Sequence, residues 1–295
     1  AGVDAGGNGD GPVTWRLRIS HRTGFHYSSD VVSSYNEARL MPLSTPEQLV
    51  IDAEVSIDPI VPAYRYWDYW GTLVHAFDIH VAHTELVVTA TSLVETAGPR
   101  DPAQAPAAGN WDALAVSDGP QEFAELLTST DYAPLVDEIR LAGEALAQGR
   151  SPVETCEAVG AWVRDNLRYE QGSTTVTTTA VDALRQRSGV CQDFAHLSLA
   201  LLRAAGIPAR YVSGYLYPSE DELVGTTVTG QSHAWIEAWL GEWMPFDPTN
   251  GQPVGERHVV VGRARDYADV TPLKGIYHGG PSSALAVSVD LTRLA

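Results

Sequence analysis

The sequence predicts an α+β fold: an N-terminal antiparallel β-domain, followed by a core of helices packed on an antiparallel sheet. Three observations carry this reading. Residues 15–95 alternate apolar and polar side chains in short runs, broken by Gly, Pro, Asp and Ser. Residues 121–205 place apolar side chains at three- and four-residue spacing between capping signals. Residues 233–247 return to alternation around a short turn. Strands and helices are thus segregated along the chain, as in α+β domains.

Composition sets the outer bounds. A chain of 295 residues with 44% apolar content is long enough for a packed core in one large domain or two ordinary ones. A formal net charge of −18 argues against nucleic acid and anionic membrane as main partners. No apolar run is long enough to span a bilayer. Two cysteines, Cys156 and Cys191, do not make a disulfide framework, so a reduced, cytoplasmic setting is expected.

Taken in order, residues 1–12 are small, Gly-rich and acidic, and are expected to form a disordered leader. They lack the basic-then-apolar layout of a signal peptide. Residues 13–96 form the expected β-domain. Its first strand is announced by Trp15, Leu17 and Ile19, which alternate with Arg16, Arg18 and Ser20. Leu49, Ile51, Ala53, Val55 and Ile57 predict another, and so do His75, Phe77, Ile79 and Val81. Asp68 to Thr72 reads as a hairpin turn. Tyr64, Tyr66, Trp67, Tyr69 and Trp70 cluster beside it, and packing between sheets or against a neighbouring domain is the ordinary role for such aromatics. Residues 97–110 hold three prolines and two glycines and are the expected linker.

Residues 111–295 are the expected core. A short helix is predicted over 121–129, and Asp131 is placed to cap a second one running through Leu135, Ile139 and Leu146. Ser151-Pro152-Val153-Glu154 is a capping box with proline at the first helical position. The helix after it puts Val153, Cys156, Val159, Trp162, Val163 and Leu167 near one stripe. Cys156 is therefore expected to be an inert core residue. After a Gly/Thr-rich loop, 171–178, Thr179 starts a further helix that should stop near Gly189.

The chemistry lies beyond that point. Phe194, Leu197, Leu201 and Leu202 fall at helical spacing, and Gly206 and Pro208 end the run. Cys191 is thus at a helix N-terminus, where free N–H groups and the positive end of the dipole favour thiolate. His233 opens an alternating run that puts Ala234, Ile236, Ala238 and Leu240 on one face and His233, Trp235, Glu237 and Trp239 on the other. A histidine at a strand start can meet a helix N-terminus packed on the sheet, accept a thiol proton and later protonate a leaving amine. Asp247 ends the next run, and Leu240-Gly241-Glu242 supplies the turn between them. That hairpin has the length to put His233 and Asp247 at the same end of adjacent strands, where the carboxylate fixes the imidazole's tautomer.

Gly-Val-Cys-Gln-Asp-Phe-Ala-His (189–196), Ala-Arg-Tyr-Val-Ser-Gly-Tyr (209–215), Ser-His-Ala-Trp-Ile-Glu (232–237) and Phe-Asp-Pro-Thr-Asn (246–250) together resemble the transglutaminase-like superfamily, in its bacterial branch with an N-terminal β-domain. Residues 162–169 and 261–277 are similar to the segments before the family's nucleophile and to its closing strands. The resemblance implies a papain-like thiol fold, with Cys191 as nucleophile, His233 as base and Asp247 as the orienting acid. Tyr169 is an oxyanion candidate by the same resemblance, beside the backbone N–H of Cys191. The segment 217–229 departs from the resemblance; its Glu220, Asp221 and Glu222 suggest a mobile loop near the site.

The expectation is a cysteine-dependent enzyme that cleaves or exchanges an amide through a thioester on Cys191. Water as acceptor makes it a peptidase or amidase, an amine acceptor makes it a protein-glutamine transglutaminase, and a non-catalytic scaffold on the same fold is the reading of another class. The substrate is then a peptide or protein amide, with no cofactor. A zinc site built from Cys191, Asp193, His196 and His233 is the weaker alternative, because no Cys-x-x-Cys or paired-histidine spacing accompanies them; no metal is expected. Asp266 and Asp269 are expected to fix a turn.

Overall fold

A computed structural model describes residues 14–116, 122–218 and 223–295. The expected leader and the Glu220 to Glu222 cluster lie outside these residues. The N-terminal half is built from β1 (Thr14–Ala38), β2 (Gln48–Asp58), β3 (Tyr64–Trp67), β4 (Leu73–Ile79) and β5 (His83–Ala97). Period-two alternation does what it predicts in β1: Trp15, Leu17 and Ile19 are buried, while Arg16 and Arg18 face solvent. The β3–β4 turn is held by Asp68, whose Oδ1 accepts the N–H of Trp70 at 3.0 Å and of Thr72 at 2.9 Å.

The second half opens with α1 (Trp111–Val116), α2 (Asp137–Ala147), α3 (Pro152–Asn166), β6 (Arg168–Tyr169), α4 (Ala180–Gln186), β7 (Ser188–Gly189) and α5 (Cys191–Ala204). It continues with β8 (Ala209–Leu216), β9 (Thr227–Trp239), β10 (Trp243–Phe246), β11 (His258–Ala264), β12 (Leu273–Gly279) and β13 (Ser282–Arg293). The capping box at Ser151 forms as expected, with the Glu154 carboxylate returning to the Ser151 N–H at 2.7 Å. Among the described residues no helix is long and apolar enough to cross a membrane.

The centre of the core is α5. Phe194, Ala195, Leu197, Leu199, Ala200, Leu201 and Leu202 are all buried, so this helix is covered on every side. Each large side chain there contributes about 1.5–3 kcal/mol of apolar transfer. Gly143 of α2 lets that helix close in: a Cβ there would lie 2.5 Å from the Leu201 carbonyl oxygen. On the sheet side, Ala234, Ile236 and Ala238 of β9 and Leu240 just after it join the same cluster. The opposite face of β9 carries His233, Trp235 and Glu237, as the alternation predicts.

The two halves share one sheet, ordered β11-β8-β9-β13-β1-β4-β3, with β10 beside β9, β12 beside β1, and β2 beside β5, which also pairs β1. β9 makes the junction. Its first part, Thr227 to Gly230, pairs with β13, and from Gln231 on it pairs with β8. Buried His21 of β1 adds a polar tie: its Nδ1 meets the Tyr215 hydroxyl of β8 at 2.9 Å, and burial lowers its pKa to about 4, so the ring stays neutral. Residues 273–293 lie within the stretch expected as the core, yet they pair with β1 of the N-terminal sheet. The expected linker is packed rather than strung out. Ala105, Ala107 and Ala108 are buried in the core cluster, and the Ala107 N–H donates to the Leu240 carbonyl at 2.7 Å.

Three local expectations are corrected. Asp131 caps nothing; the helix begins six residues later, at Asp137. Pro134 disfavours helix at the residue before it, and the Thr130 and Ser129 hydroxyls accept the N–H groups of Ala133 and Leu135 instead. Of the helix expected over 121–129, the described residues keep helix at Glu122 and then a 3-10 turn, Ala124–Leu127, with residue 121 outside the described set. The aromatic cluster is not mainly a packing unit. Trp70 packs on the core and Tyr66 donates to Glu37 at 2.8 Å, but Tyr64, Trp67 and Tyr69 are 71%, 64% and 80% exposed. They lie on or just after β3, the edge strand, where no further strand covers them.

Candidate active site

Cys191 is the first residue of α5, where the leading N–H groups of a helix have no partner within it. The chain reaches it through a tight bend. The Val190 N–H donates to Asp193 Oδ2 at 2.8 Å, and Thr174 from the preceding loop donates to the same oxygen at 2.7 Å. Gly189 is required here because a Cβ would lie 2.7 Å from the Asp193 side chain. Asp193 is thus occupied in shaping the bend. His196 is buried farther along α5, accepting the Tyr267 N–H on Nε2 at 3.2 Å. Neither joins Cys191 and His233 in a ligand set.

The β9–β10 hairpin delivers the other two groups. Phe246 pairs with Ile236, and Asp247 follows directly, so the carboxylate comes alongside His233. His233 Nε2 lies 2.9 Å from Asp247 Oδ2. Nε2 also meets the Asn250 side-chain amide at 3.5 Å, so Nδ1 is the nitrogen left for the Cys191 thiol, which shares the cleft. Burial opposes the charged imidazolium, but the bonds to Asp247 and Cys191 more than offset it and raise His233 to about 9. Burial also works against a charged Asp247, yet hydrogen bonds from His233, His258 and Asn250 hold its carboxyl far below the usual carboxylate range.

Asp247 is surrounded by donors. Oδ1 accepts the N–H groups of Thr249 at 3.0 Å and Asn250 at 3.2 Å, and Oδ2 accepts the Asn250 side-chain amide at 2.7 Å. The Asp-Pro-Thr-Asn turn therefore folds back to bind its own first side chain. His258, on the first residue of β11, adds a longer contact of 3.4 Å from Nε2 to Oδ2. Sequence reasoning gave no role to Asn250 or His258. Asn250 stood within the quoted turn, three residues after Asp247, a spacing at which side chains return to the backbone. His258 is separated by a further turn, and its one signal is a histidine opening an apolar run.

Tyr169 reaches the site through a two-residue parallel bridge, β6 to β7, that pairs it with Gly189. Burial and the neighbouring Cys191 push its phenol up, which keeps it a donor. A cleft of about 490 Å³ is lined by Tyr169, Cys191, His233, Thr249, Asn250 and Arg257, among others. Two other cavities, of about 430 and 470 Å³, are comparable in size but contain no such set. Size does not single out the cleft; the Cys191 thiol and the His233 imidazole do, while Asp247 sits behind the imidazole and lines the cavity of about 470 Å³. Cys156 lies in the core, and burial pushes its thiol far up. His233, Asp247 and His258 bring ligand-type atoms within 4.8 Å of one another and are the group among the described residues that could hold a metal.

Farther along the same face of β9, Glu237 is buried between two arginines. Arg210 lies opposite it on β8, and its Nε donates at 2.6 Å; Arg263 of β11 donates at 2.9 Å. The trio ties three adjacent strands together.

Comparison with known proteins agrees with this architecture. Residues 139–248 match the description of the transglutaminase-like superfamily, and residues 17–95 match the bacterial transglutaminase-like N-terminal region. An uncharacterized protein of Mycobacterium leprae is 47% identical over 281 residues, covering 95% of this chain and 100% of its own length. An uncharacterized protein of Mycobacterium tuberculosis is 37% identical over 295 residues, covering 94% of this chain and 93% of its own. A crystal structure from Cytophaga hutchinsonii, described provisionally as a cysteine protease, superposes with a TM-score of 0.76 at 23% identity, covering 95% of this chain and 98% of the other. At that identity the likeness is one of fold.

Proposed function

The chain belongs to the transglutaminase-like superfamily, and from that premise we propose that it is a cysteine-dependent acyl-transfer enzyme that hydrolyses an amide through a thioester on Cys191. The observation that carries the reading is His233 bonded at Nε2 to Asp247 and sharing the cleft with the Cys191 thiol, which helps raise its pKa. The Cys191 sulfur, as thiolate, attacks the substrate carbonyl. The oxyanion is met by the Cys191 N–H at the helix start and by the Tyr169 hydroxyl. His233, held protonated by Asp247, gives its proton to the departing amine, which leaves a thioester. A water then gives a proton to Nδ1 of His233 as it attacks the thioester, and the acid product leaves with the thiolate restored.

An amine in place of that water would make the same intermediate a transferase intermediate. Cys191 is partly exposed at an open cleft, so water has access to the thioester, and this favours hydrolysis. A scaffold without catalysis would have no use for a histidine raised to about 9 beside a thiol. The acyl donor is a peptide or protein amide, and a reducing compartment, the cytoplasm, keeps the thiol competent.

The test is a peptide-library digestion read by mass spectrometry, with and without a labelled primary amine. Cleaved amides without incorporated label are expected, and none with Cys191→Ala. Label incorporation in preference to cleavage would replace hydrolysis by transfer. Turnover surviving in Cys191→Ala would remove the mechanism.

A further inference from the structure

His258 is not among the residues lining the cleft; it lines the cavity of about 430 Å³ between the N-terminal sheet and the core. Its two ring nitrogens have different partners. Nδ1 lies 3.3 Å from the backbone N–H of Gly255, which can only donate, so Nδ1 accepts and carries no proton. The neutral ring then has its proton on Nε2, the atom 3.4 Å from Asp247 Oδ2, which can only accept. The other tautomer would set two donors against each other at Gly255 and two acceptors against each other at Asp247. Burial lowers the pKa of His258, in keeping with a neutral ring.

The same reasoning bears on a metal. His233, Asp247 and His258 have the donor types of a zinc site. A metal bound at Nε2 of His258 would drive the proton to Nδ1, against the Gly255 N–H. The local backbone therefore selects hydrogen bonding over ligation.

The ring's position is set by the turn that precedes it. The His258 N–H donates to the Gly255 carbonyl at 2.8 Å, and the side chain folds back over that turn. Trp235 abuts the ring edge to face, with centroids 5.3 Å apart. The turn in turn rests on the N-terminal sheet. Thr96 of β5 donates through Oγ1 to the Glu256 carbonyl at 2.6 Å. Pro99 packs so closely on Gly255 that a Cβ there would lie 2.7 Å from the Pro99 nitrogen.

We propose that His258 is a positioning residue that donates Nε2–H to Asp247, and that the N-terminal sheet holds it in that role by gripping the 255–258 turn through Thr96 of β5, helped by Pro99 just past the end of that strand. Its geometry stands by itself; its effect on chemistry rests on the thiol reading of the site. It closes Oδ2 to water, so that the carboxylate stays aligned with His233. The N-terminal sheet thereby acquires a part in catalysis although it contributes no residue to the cleft.

The first test needs no mutation. Long-range proton–nitrogen NMR on histidine-labelled protein at pH 7 should find His258 protonated at Nε2 and bare at Nδ1. The opposite tautomer overturns the proposal. The second test follows alkylation of Cys191 at pH 7 by mass spectrometry. His258→Leu should slow it threefold or more, and His258→Gln, whose amide N–H reaches the same oxygen, should restore it to within twofold. Thr96→Val should lie between His258→Leu and the parent, with unchanged circular dichroism. His258→Leu reacting at the parental rate, or micromolar zinc binding that His258→Gln abolishes, would reject the positioning role. Absence of amide cleavage in a protein that shows the expected tautomer would reject the proposed function alone.

Discussion

Asp247→Asn keeps the shape of the side chain and removes its charge. Every group around the carboxylate is a donor: His233, the Asn250 amide and His258 at Oδ2, and the N–H groups of Thr249 and Asn250 at Oδ1. An amide NH2 meets a donor whichever way it is turned. Facing His233, it forces the ring to accept at Nε2 and moves the proton to Nδ1, the nitrogen that must take the thiol proton. Loss of the correct tautomer in a triad of this kind costs about 10⁴-fold in kcat. The ion pair also has a stability signature. His233 is raised from 6.5 to about 9, a difference of about 2.5 units, or about 3 kcal/mol at about 1.4 kcal/mol per unit; the thiol shares in this, so the figure is an upper bound for Asp247. A raised folded pKa means that the stabilisation is fully present below 6.5 and is lost as pH rises through about 9. Urea unfolding in a Cys191→Ala background, at pH 6 and pH 10, isolates it. The parent should lose up to about 3 kcal/mol more than Asp247→Asn across that interval. If the two lose the same amount, and Asp247→Asn leaves Cys191 alkylation in the wild-type background unchanged, the claim that Asp247 controls His233 fails.

Further expectations concern the supports of the site. Glu237→Gln leaves the half-buried Arg210 and Arg263 without their shared, buried counter-charge, and should cost up to about 3–5 kcal/mol in urea unfolding; a loss under about 1 kcal/mol would mean the trio is well solvated. Gly189→Ala presses a Cβ against Asp193 and should cost about 1–3 kcal/mol while slowing Cys191 alkylation, with an unaltered melting temperature counting against the tight bend. Cys156, buried in the core with its thiol pushed up, should gain an alkyl group only at the rate of global unfolding. Mass spectra showing both cysteines modified together in the native protein would contradict that placement.

What the sequence made legible is what short-range physics encodes. The helix start at Cys191, the capping box at Ser151 and the hairpin from His233 to Asp247 depend on residues within one turn or one hairpin of each other. Their periodicities and turn residues are local, so the residues proposed for the chemistry were within reach. Asp131 caps no helix for an equally local reason, the proline three residues on. His258 lies beyond the reach of local pattern: it comes near Asp247 through a turn whose position depends on Thr96 and Pro99, far back in the chain. The aromatics of β3 carry no mark of edge position, because the strand order that leaves them uncovered is a property of the whole sheet.

The same long-range pairing has a consequence for how the protein is made. Leu17 pairs with Arg293, and Gly230 of β9 pairs with Val289. Until residues 282–293 have left the ribosome, β1 lacks one of its neighbours and the leading part of β9 has none. Such exposed edges invite mispairing, and closure between distant segments is slow. His233 lies three residues past Gly230 on that strand. The segment leading into the histidine therefore takes up its neighbour only after residues 282–293 have been synthesised, whereas the histidine's own pairing partner, Gly214 of β8, precedes it in the chain.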